Sequence, residues 1–483
     1  MRDGAFGILR SVIPPVTAPA SAALLTGTQP GKNGIYDFCG VDLDRLARTG
    51  VSYLGRSKVP TIVDLADLLG LSVGLFGIPT LYPVPKPRMG FAVAGFGVPS
   101  NAKIAEPESV LKRLEEEGYS PSGTRISASD PKAPERLSNE MSRRWEIFKN
   151  LWYDYETDIA YCWLPESDHA SHYFWDDGTK LLPVYKTADE ILRDAMRIIG
   201  QDDLLIVASD HGFTSIEASF FPNALLWRAG FLRLKRSPIT LLRLAITRLV
   251  RWARKRSAAL DAAAVMGAAR RESLVVRMVR PFVLSHRDMD LKRTKAAAIG
   301  SPTEYSLIYL KRRIREKQDE RERYLRQLES LFSEIPVVKE VLRGSDVYAG
   351  EALEEAPDLV VRLDDGVVSM TTNIPHTKRF LGGPPWSQFR GKHHRNGIVG
   401  IWGTGVQSGA TLAAEIYDVL PTVLHALGYP IPDYSDGRPI VEAFETDSPL
   451  RREARVFSPL KLRARAVARS VKRRVLSRSK RPV

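Results

Sequence analysis

The chain has 483 residues, 44% of them hydrophobic, which exceeds the size of one compact core and predicts a large domain with an inserted cap. Its two cysteines, Cys39 and Cys162, exclude a disulfide framework and favour a reducing compartment. No apolar run approaches the roughly 20 residues that cross a bilayer, and the chain begins with no signal peptide. The net charge of +14 comes from two basic segments, 233–287 and 451–483, so the remainder is acidic. We expect a cytoplasmic protein, either free or peripheral at a membrane.

The first chemically informative segment is the turn at residues 11–19, in which prolines surround Thr17. A run of small residues at 20–25 follows it and is typical of a buried helix. Further along, residues 72–78 form an apolar run that predicts a strand, and the turn Pro79-Thr80-Leu81-Tyr82-Pro83 ends it.

A second strand is predicted at 158–164, and it is followed by Asp168 and His172. These two residues are four positions apart, so a helical turn places both side chains on one face. A longer helical pattern covers 181–199.

The continuous apolar run Leu204–Ala208 predicts a buried parallel strand, and Asp210 and His211 follow it directly. An Asp-His pair at the carboxyl end of a strand is well placed to bind a metal. In an ordinary loop, the same pair would be a helix cap and an exposed histidine.

The first basic segment lies in a predicted helical cap insertion at 231–290. A helix over 240–256 has arginines and a lysine on one face and apolar side chains on the other. Such a helix can lie on an anionic membrane surface. The alternative is a cap helix packed on the core with a solvated basic face.

The remaining pattern adds strands at 359–361 and 398–402 and a helix at 413–427. The predicted catalytic domain therefore has two parts, 1–230 and 291–445, followed by a basic tail at 446–483. The tail is available to phosphate-rich partners such as membranes or nucleic acid, or it is merely solvated. Alternating strands and helices predict an α/β/α sandwich around a mostly parallel sheet, with ligands at the carboxyl ends of its strands.

These segments, in this order, resemble the alkaline phosphatase superfamily, in particular its type I phosphodiesterase/nucleotide pyrophosphatase branch. The likeness covers most of the chain. It includes the Thr17 turn, Leu25-Thr26-Gly27, Pro30-Gly31-Lys32-Asn33-Gly34, the turn at 79–83, Asp168 to His172, Ser209-Asp210-His211-Gly212, Ala356-Pro357-Asp358-Leu359, Gly391-Lys392-His393-His394, Asp418-Val419-Leu420-Pro421-Thr422 and Asp436-Gly437-Arg438.

The resemblance implies that Thr17 is the nucleophile of a phosphoryl transfer and that its alkoxide binds one metal together with Asp210 and His211. It implies a second metal bound by Asp168, His172 and His393, with His394 as the alternative to His393. Attack by Thr17 would form a phosphothreonine that water then hydrolyses. Carboxylate and imidazole ligands suit two divalent ions of zinc, or of manganese, better than magnesium.

The chain departs from this family in two respects. Members carry a first strand that ends in Asp-Gly well before the nucleophile, and its Asp is a metal ligand. Here Thr17 lies near the beginning of the chain, so we expect that strand and ligand to be absent, through a misassigned start codon or a truncation, unless Asp3 supplies the ligand. The positions of Asn33 and Phe38 also leave nucleotide specificity open.

The sequence therefore predicts a metal-dependent phosphoric ester hydrolase of the phosphodiesterase/nucleotide pyrophosphatase type. Alternatives are a phosphotransferase acting on a lipid or other alcohol, and an impaired relative that binds anionic surfaces. A P-loop is excluded because Gly27 and Gly31 have three residues between them rather than four. A sulfatase is disfavoured because threonine cannot become formylglycine.

Overall fold

The computed structural model describes residues 4–124, 126–245, 284, 288–371, 374, 381–382, 389–452 and 454–459. Asp3, most of the predicted basic helix at 240–256 and residues 453 and 460–483 of the basic tail lie outside the described residues.

Helices are interspersed with strands along the described chain. The α-helices are α1 (Thr17–Thr26), α2 (Pro30–Asn33), α3 (Ile62–Leu69), α4 (Glu108–Glu116), α5 (Ala133–Tyr155), α6 (Glu166–Phe174), α7 (Gly178–Ile198), α8 (Pro222–Arg228), α9 (Arg312–Arg315), α10 (Gln318–Ser333), α11 (Gly344–Val347) and α12 (Val419–Ala426). Single turns of 3₁₀-helix occur at Leu54–Arg56, Leu353–Glu355, Ile416–Asp418, Val441–Ala443 and Pro449–Arg451.

The strands are short and are distributed over the whole described chain. They are β1 (Ala5–Arg10), β2 (Cys39–Asp42), β3 (Ala47–Val51), β4 (Val73–Ile78), β5 (Gly90–Ala94), β6 (Ala105–Glu106), β7 (Ile159–Cys162), β8 (Leu204–Ala208), β9 (Gly212–Ser215), β10 (Ala218–Phe220), β11 (Ala296–Ala298), β12 (Tyr305–Leu310), β13 (Val338–Arg343), β14 (Leu359–Leu363), β15 (Val367–Ser369), β16 (Leu381–Gly382), β17 (Gly391–His394), β18 (Asn396–Gly403), β19 (Thr411–Glu415), β20 (Ile431–Pro432) and β21 (Val456–Phe457).

Two four-stranded sheets carry the elements that the sequence linked to chemistry. One has the order β19-β1-β18-β8, in which β18 runs antiparallel to its neighbours and the other three strands share a direction. The other has the order β6-β5-β4-β7, in which β4 pairs in parallel with both β5 and β7. The predominance of one strand direction in each sheet confirms the predicted mostly parallel arrangement.

Helices cover both faces of the second sheet, because its strands alternate two sets of apolar side chains. Leu75 of β4 and Ala92 of β5 belong to one core cluster with helices α1, α3 and α12. Phe76 and Phe91 point to the opposite face, where they pack with helices α5, α6 and α7. This three-layer arrangement is the predicted α/β/α sandwich.

A separate hydrophobic cluster lies around an antiparallel sheet with the order β11-β12-β14-β13. Helices α8 and α10 pack on it through Leu225, Leu226, Leu328 and Phe332. The predicted strand at 359–361 lies in this sheet, as part of β14.

The predicted helix at 413–427 is wrong in its first part. Thr411–Glu415 form β19, which pairs in parallel with β1, and α12 begins only at Val419. Leu412 and Ala414 are buried while Thr411 and Ala413 are exposed, so the short segment follows strand alternation although it resembles a helix in composition.

No strand pairs with both of the two main sheets in the described part of the chain. There β8 pairs only with β18, and β7 pairs only with β4. The apolar residues of β8 are half-buried rather than buried, and Ala160 of β7 is exposed. The prediction of a fully buried β8 is therefore wrong, because one of its edges lacks a neighbouring strand.

Candidate metal centre

The nucleophile candidate Thr17 is the first residue of α1, at the end of the turn that follows β1, and it is buried. All ten residues of α1 are buried, which their small side chains permit. No side chain caps its first turn, and that turn contains no acid. The positive end of the helix dipole therefore lies at Thr17, where it favours a bound anion.

Asp168 and His172 lie on α6, which follows β7, and the predicted helical spacing brings them together. Nε2 of His172 is 3.6 Å from Oδ1 of Asp168. Asp210 and His211 follow β8, and Nε2 of His211 lies 3.2 Å from Oδ2 of Asp210. The same nitrogen is 3.3 Å from Oγ1 of Thr17.

The structure distinguishes His393 from His394 by their alternation along β17. His393 is buried, its Nε2 lies 3.2 Å from Oδ1 of Asp168, and its ring stacks on His211 with centroids 3.5 Å apart. His394 is half-exposed, and its Nδ1 accepts a hydrogen bond from the backbone N–H of Asn396. Of the two, His393 lies in the cluster.

Backbone carbonyls orient the three imidazole rings. Nδ1 of His393 donates to the carbonyl of Pro15 over 2.9 Å, and Nδ1 of His172 donates to that of Gly391 over 3.1 Å. Nδ1 of His211 lies 3.2 Å from the carbonyl of Gly212. A proton fixed on each Nδ1 leaves each Nε2 lone pair free to bind a metal.

The donor set fits a cation. Asp168, His211 and His393 offer ligand atoms that all lie within 4.8 Å of one another. Oδ1 of Asp168 is buried and accepts no hydrogen bond of good geometry from the described residues. Carboxylate oxygen and imidazole nitrogen are the ligands of zinc and manganese sites.

Burial and neighbouring charges shift the pKa values of the cluster residues in different directions. Burial, together with the negative charge of Asp168, raises the pKa of Asp210 to about 7. Burial would raise the pKa of Asp168 as well, but His172, His393 and His211 hold it well below its usual range. Burial lowers the pKa of His211, so its imidazole is neutral and able to act as a ligand.

Two buried ion pairs lie next to segments that carry cluster residues, and no pattern in the sequence predicted them. Arg144 of α5 is fully buried and lies 2.8 Å from Glu166, the first residue of α6. Lys392 precedes His393 and lies 3.4 Å from Glu304, with both side chains buried. In each pair the partners are distant in the chain, so no local pattern could predict them.

Other residues singled out by the sequence have structural contacts. The side-chain amide of Asn33 donates to the carbonyl of Thr28 and accepts from the backbone N–H of Ile35. These hydrogen bonds stabilise the turn in which Asn33 lies. His425 donates to the carbonyl of Leu450. His286 and His376 lie outside the described residues.

The sandwich, with this cluster at the carboxyl ends of β7 and β8, has the fold of the alkaline phosphatase superfamily. Residues 1–394 match the model of the family described as Type I phosphodiesterase / nucleotide pyrophosphatase, and the chain belongs to this family. It is therefore an enzyme of phosphodiesterase type, a phosphoric ester hydrolase. No curated protein matches the chain.

Several solved structures are similar to the chain in fold. Phosphonoacetate hydrolase from Sinorhizobium meliloti 1021 in complex with phosphonoformate is 12% identical with a TM-score of 0.54, over 88% of this chain and 87% of that one. The same enzyme with phosphonoacetate is 13% identical, with a TM-score of 0.53 and the same coverage. Human ectonucleotide pyrophosphatase / phosphodiesterase 5 is 12% identical with a TM-score of 0.46, over 89% and 88%.

Proposed function

We propose that this enzyme is a metal-dependent phosphodiesterase that acts through a phosphothreonine at Thr17. The observation that carries the proposal is the convergence of all the predicted site residues on one cluster. They come from segments far apart in the chain: Thr17, Asp168, His172, Asp210, His211 and His393.

The residues of the chain perform three tasks in this proposal. The N-terminus of α1 and its uncapped first turn bind the negatively charged phosphoryl group. Thr17 Oγ1, which lies 3.3 Å from His211 Nε2, loses its proton to water and attacks phosphorus, and the first alcohol leaves with a proton from water as its bond to phosphorus breaks. Water then attacks the phosphothreonine, the bond from phosphorus to Thr17 Oγ1 breaks, and Oγ1 regains a proton.

Two divalent ions, of zinc or manganese, would be held by the same cluster. One would bind Asp210, His211 and Thr17, and the other Asp168, His172 and His393. When bound, they supply positive charge at the attacking and leaving oxygens.

The test compares Thr17→Ala with Thr17→Ser after loading with Zn²⁺ or Mn²⁺. Hydrolysis of bis(4-nitrophenyl) phosphate should be abolished by the first variant and partly retained by the second, because serine keeps an attacking hydroxyl. Acid quenching of the wild-type reaction, followed by mass spectrometry, should find phosphate on the peptide that contains Thr17. Comparable turnover in Thr17→Ala would remove Thr17 from the mechanism.

We further propose that the basic segments affect location and leave the chemistry unchanged. No described helix is both long and apolar enough to cross a membrane. Deletion of residues 458–483 should weaken binding to phosphatidylserine vesicles in a salt-dependent way, with turnover of a small diester unchanged. A large loss of turnover would show that the tail contributes to the active site.

A further inference from the structure

The described start of the predicted basic helix presents apolar side chains to solvent. Residues 238–245 are helical. Within them Ile239 is 57% exposed, and Leu241 and Leu242 are each 53% exposed. We name these three side chains the apolar tip. Large aliphatic side chains gathered on one exposed face are typical of a surface that contacts an apolar partner.

The opposite face of this helix is held to the protein by polar contacts. Nη1 of Arg243 donates to Oδ1 of Asp288 over 2.9 Å, and Oγ1 of Thr240 donates to the same oxygen over 3.0 Å. Asp288 and Thr240 are both buried. At about 100° per residue, Thr240 and Arg243 lie on one side of the helix and the apolar tip lies on the other. Over these residues the arginine therefore faces the protein and the leucines face solvent, which is the reverse of a cap helix with a solvated basic face.

Basic side chains lie beside the apolar tip in the fold, because two basic segments pair there. The N–H of Asp290 donates to the carbonyl of Arg233 over 2.7 Å, and the N–H of Lys235 donates to the carbonyl of Asp288 over 2.8 Å. This antiparallel pairing brings the residues before the tip next to those that follow Asp290. The exposed cations of the two segments form what we name the basic collar: Arg233, Lys235, Arg236, Lys292 and Arg293.

The acids of these segments offset little of the collar's charge. Residues 233–245 and 288–293 contain six basic residues and two acids. Asp288 is buried against Arg243, and Asp290 accepts hydrogen bonds from the backbone N–H groups of Lys292 and Arg293. The collar therefore presents positive charge next to exposed aliphatic side chains.

This combination fits one kind of partner better than the others. An anionic membrane has negative head groups at its surface and apolar chains beneath them, so it matches both the collar and the tip. Nucleic acid matches the collar alone, because aliphatic side chains have no planar face on which bases stack. A second copy of the chain, docked tip to tip, would bring two collars of the same sign together.

We propose that the apolar tip inserts among the acyl chains of an anionic membrane while the basic collar binds the lipid head groups. The enzyme then lies on the membrane surface with the start of this helix as its contact. The inference rests on the part of the proposed function that assigns location to the basic segments, and it names the surface and the partner. It does not depend on the chemistry at Thr17.

The test measures sedimentation of the full chain with two kinds of vesicle, phosphatidylcholine alone and phosphatidylcholine with phosphatidylserine. Leu241→Ser/Leu242→Ser should weaken binding to the anionic vesicles by at least about tenfold, because two apolar side chains no longer leave water. Leu182→Ser/Met196→Ser is the matched control, since these side chains of α7 are 55% and 40% exposed, and it should bind as the wild type does. Both variants should fold and hydrolyse bis(4-nitrophenyl) phosphate at the wild-type rate.

The collar and the insertion step have their own measurements. Arg236→Gln/Arg293→Gln should weaken binding to the anionic vesicles by roughly tenfold to thirtyfold at low salt and by less at high salt. The loss caused by Leu241→Ser/Leu242→Ser should persist at high salt, because salt does not screen apolar insertion. The fluorescence of Leu242→Trp should shift to the blue on binding and be quenched by lipids with brominated acyl chains. Emission that stays unchanged on bound vesicles would show that the tip remains in water, and the inference would be wrong.

The remaining outcomes separate this inference from the other proposals. If deletion of residues 458–483 abolishes vesicle binding while Leu241→Ser/Leu242→Ser binds like the wild type, the tail directs location and the apolar tip does not. Binding to DNA without binding to either vesicle would overturn the membrane as the partner. A wild-type dimer that Leu241→Ser/Leu242→Ser dissociates would make the tip an interface between copies. None of these results bears on the phosphothreonine proposal, which the Thr17 variants test separately.

Discussion

Oδ1 of Asp168 lies 3.2 Å from Nε2 of His393, although one residue follows β7 and the other lies on β17, in the last part of the described chain. Nδ1 of His393 already donates to Pro15, so it is Nε2 that faces the carboxylate oxygen, and burial lowers the pKa of His393 less than the contact with Asp168 raises it. Two electron-rich atoms at this distance repel each other unless a proton or a cation lies between them. A metal ion satisfies both at once.

We predict that His393→Ala lowers metal affinity by at least about tenfold, because it removes a ligand, and lowers activity in parallel. Bound metal is measured by mass spectrometry of the dialysed protein. His394→Ala is the matched control on the same strand, and it should keep nearly full metal content since its side chain points out of the cluster. The reverse ranking of the two variants would reassign the site.

We predict that metal binding becomes weaker as the pH falls below about 7. The metal-free protein holds a proton on Asp210, whose pKa is raised to about 7, and the metal must displace that proton. Affinity should fall by up to roughly tenfold per pH unit below this pKa. Calorimetry in buffers of different ionisation enthalpy counts the released proton, and Asp210→Asn should release about one proton fewer.

The same raised pKa predicts the pH dependence of folding. Between 3.8 and about 7, folded metal-free protein binds a proton at Asp210 more tightly than the unfolded chain does. This contribution to the free energy of unfolding is therefore present at low pH and is lost as the pH rises toward 7. Urea denaturation of wild type and Asp210→Asn at several pH values should show the contribution only in the wild type.

We predict that Arg144→Met destabilises the protein by about 3–5 kcal/mol, because it leaves Glu166 buried without its cation. The double variant Arg144→Met/Glu166→Gln should recover part of this loss, since neither residue of the pair is then charged. The exposed pair Arg193–Asp189, 2.8 Å apart, provides the control, and Arg193→Ala should cost less than about 1 kcal/mol. Urea unfolding measures the free energy of unfolding of all three variants. A loss in Arg144→Met no larger than the loss in Arg193→Ala would contradict a structural role for the buried pair.

Hydrogen exchange should reveal the open edge of β8. Strand β4 has a neighbouring strand on each side, so its amides should exchange slowly. Among the described residues β8 pairs with β18 alone, so the amides that point to β18 should exchange slowly and the others should exchange fast. Exchange followed by NMR or mass spectrometry distinguishes these patterns. Uniformly slow exchange throughout β8 would mean that another part of the polypeptide covers this edge.

Local patterns predicted the elements whose signal is contained in a short segment. Leu204–Ala208 is a strand over the predicted range, and Asp168 and His172 share a helical face because their spacing requires it. The start of α12 was not predictable, since Ala413 and Ala414 fit a strand as well as a helix until β1 supplies a partner. The pair of Lys392 with Glu304 depends on a contact between distant segments, which one sequence does not record.

The hydrogen bonds that orient the histidines have a consequence for how the site tolerates mutation. Their acceptors are the main-chain carbonyls of Pro15, Gly212 and Gly391, and every residue type carries such a carbonyl. No single side-chain replacement at these three positions can delete the acceptor. Two of these positions are nevertheless sensitive to substitution, because a Cβ at Gly212 would clash with the carbonyl of Asn396 and a Cβ at Gly391 with the carbonyl of Ser171. The orientation of the rings is therefore vulnerable to any change that shifts this backbone, so lineages of this enzyme should keep both glycines and the length of these turns constant.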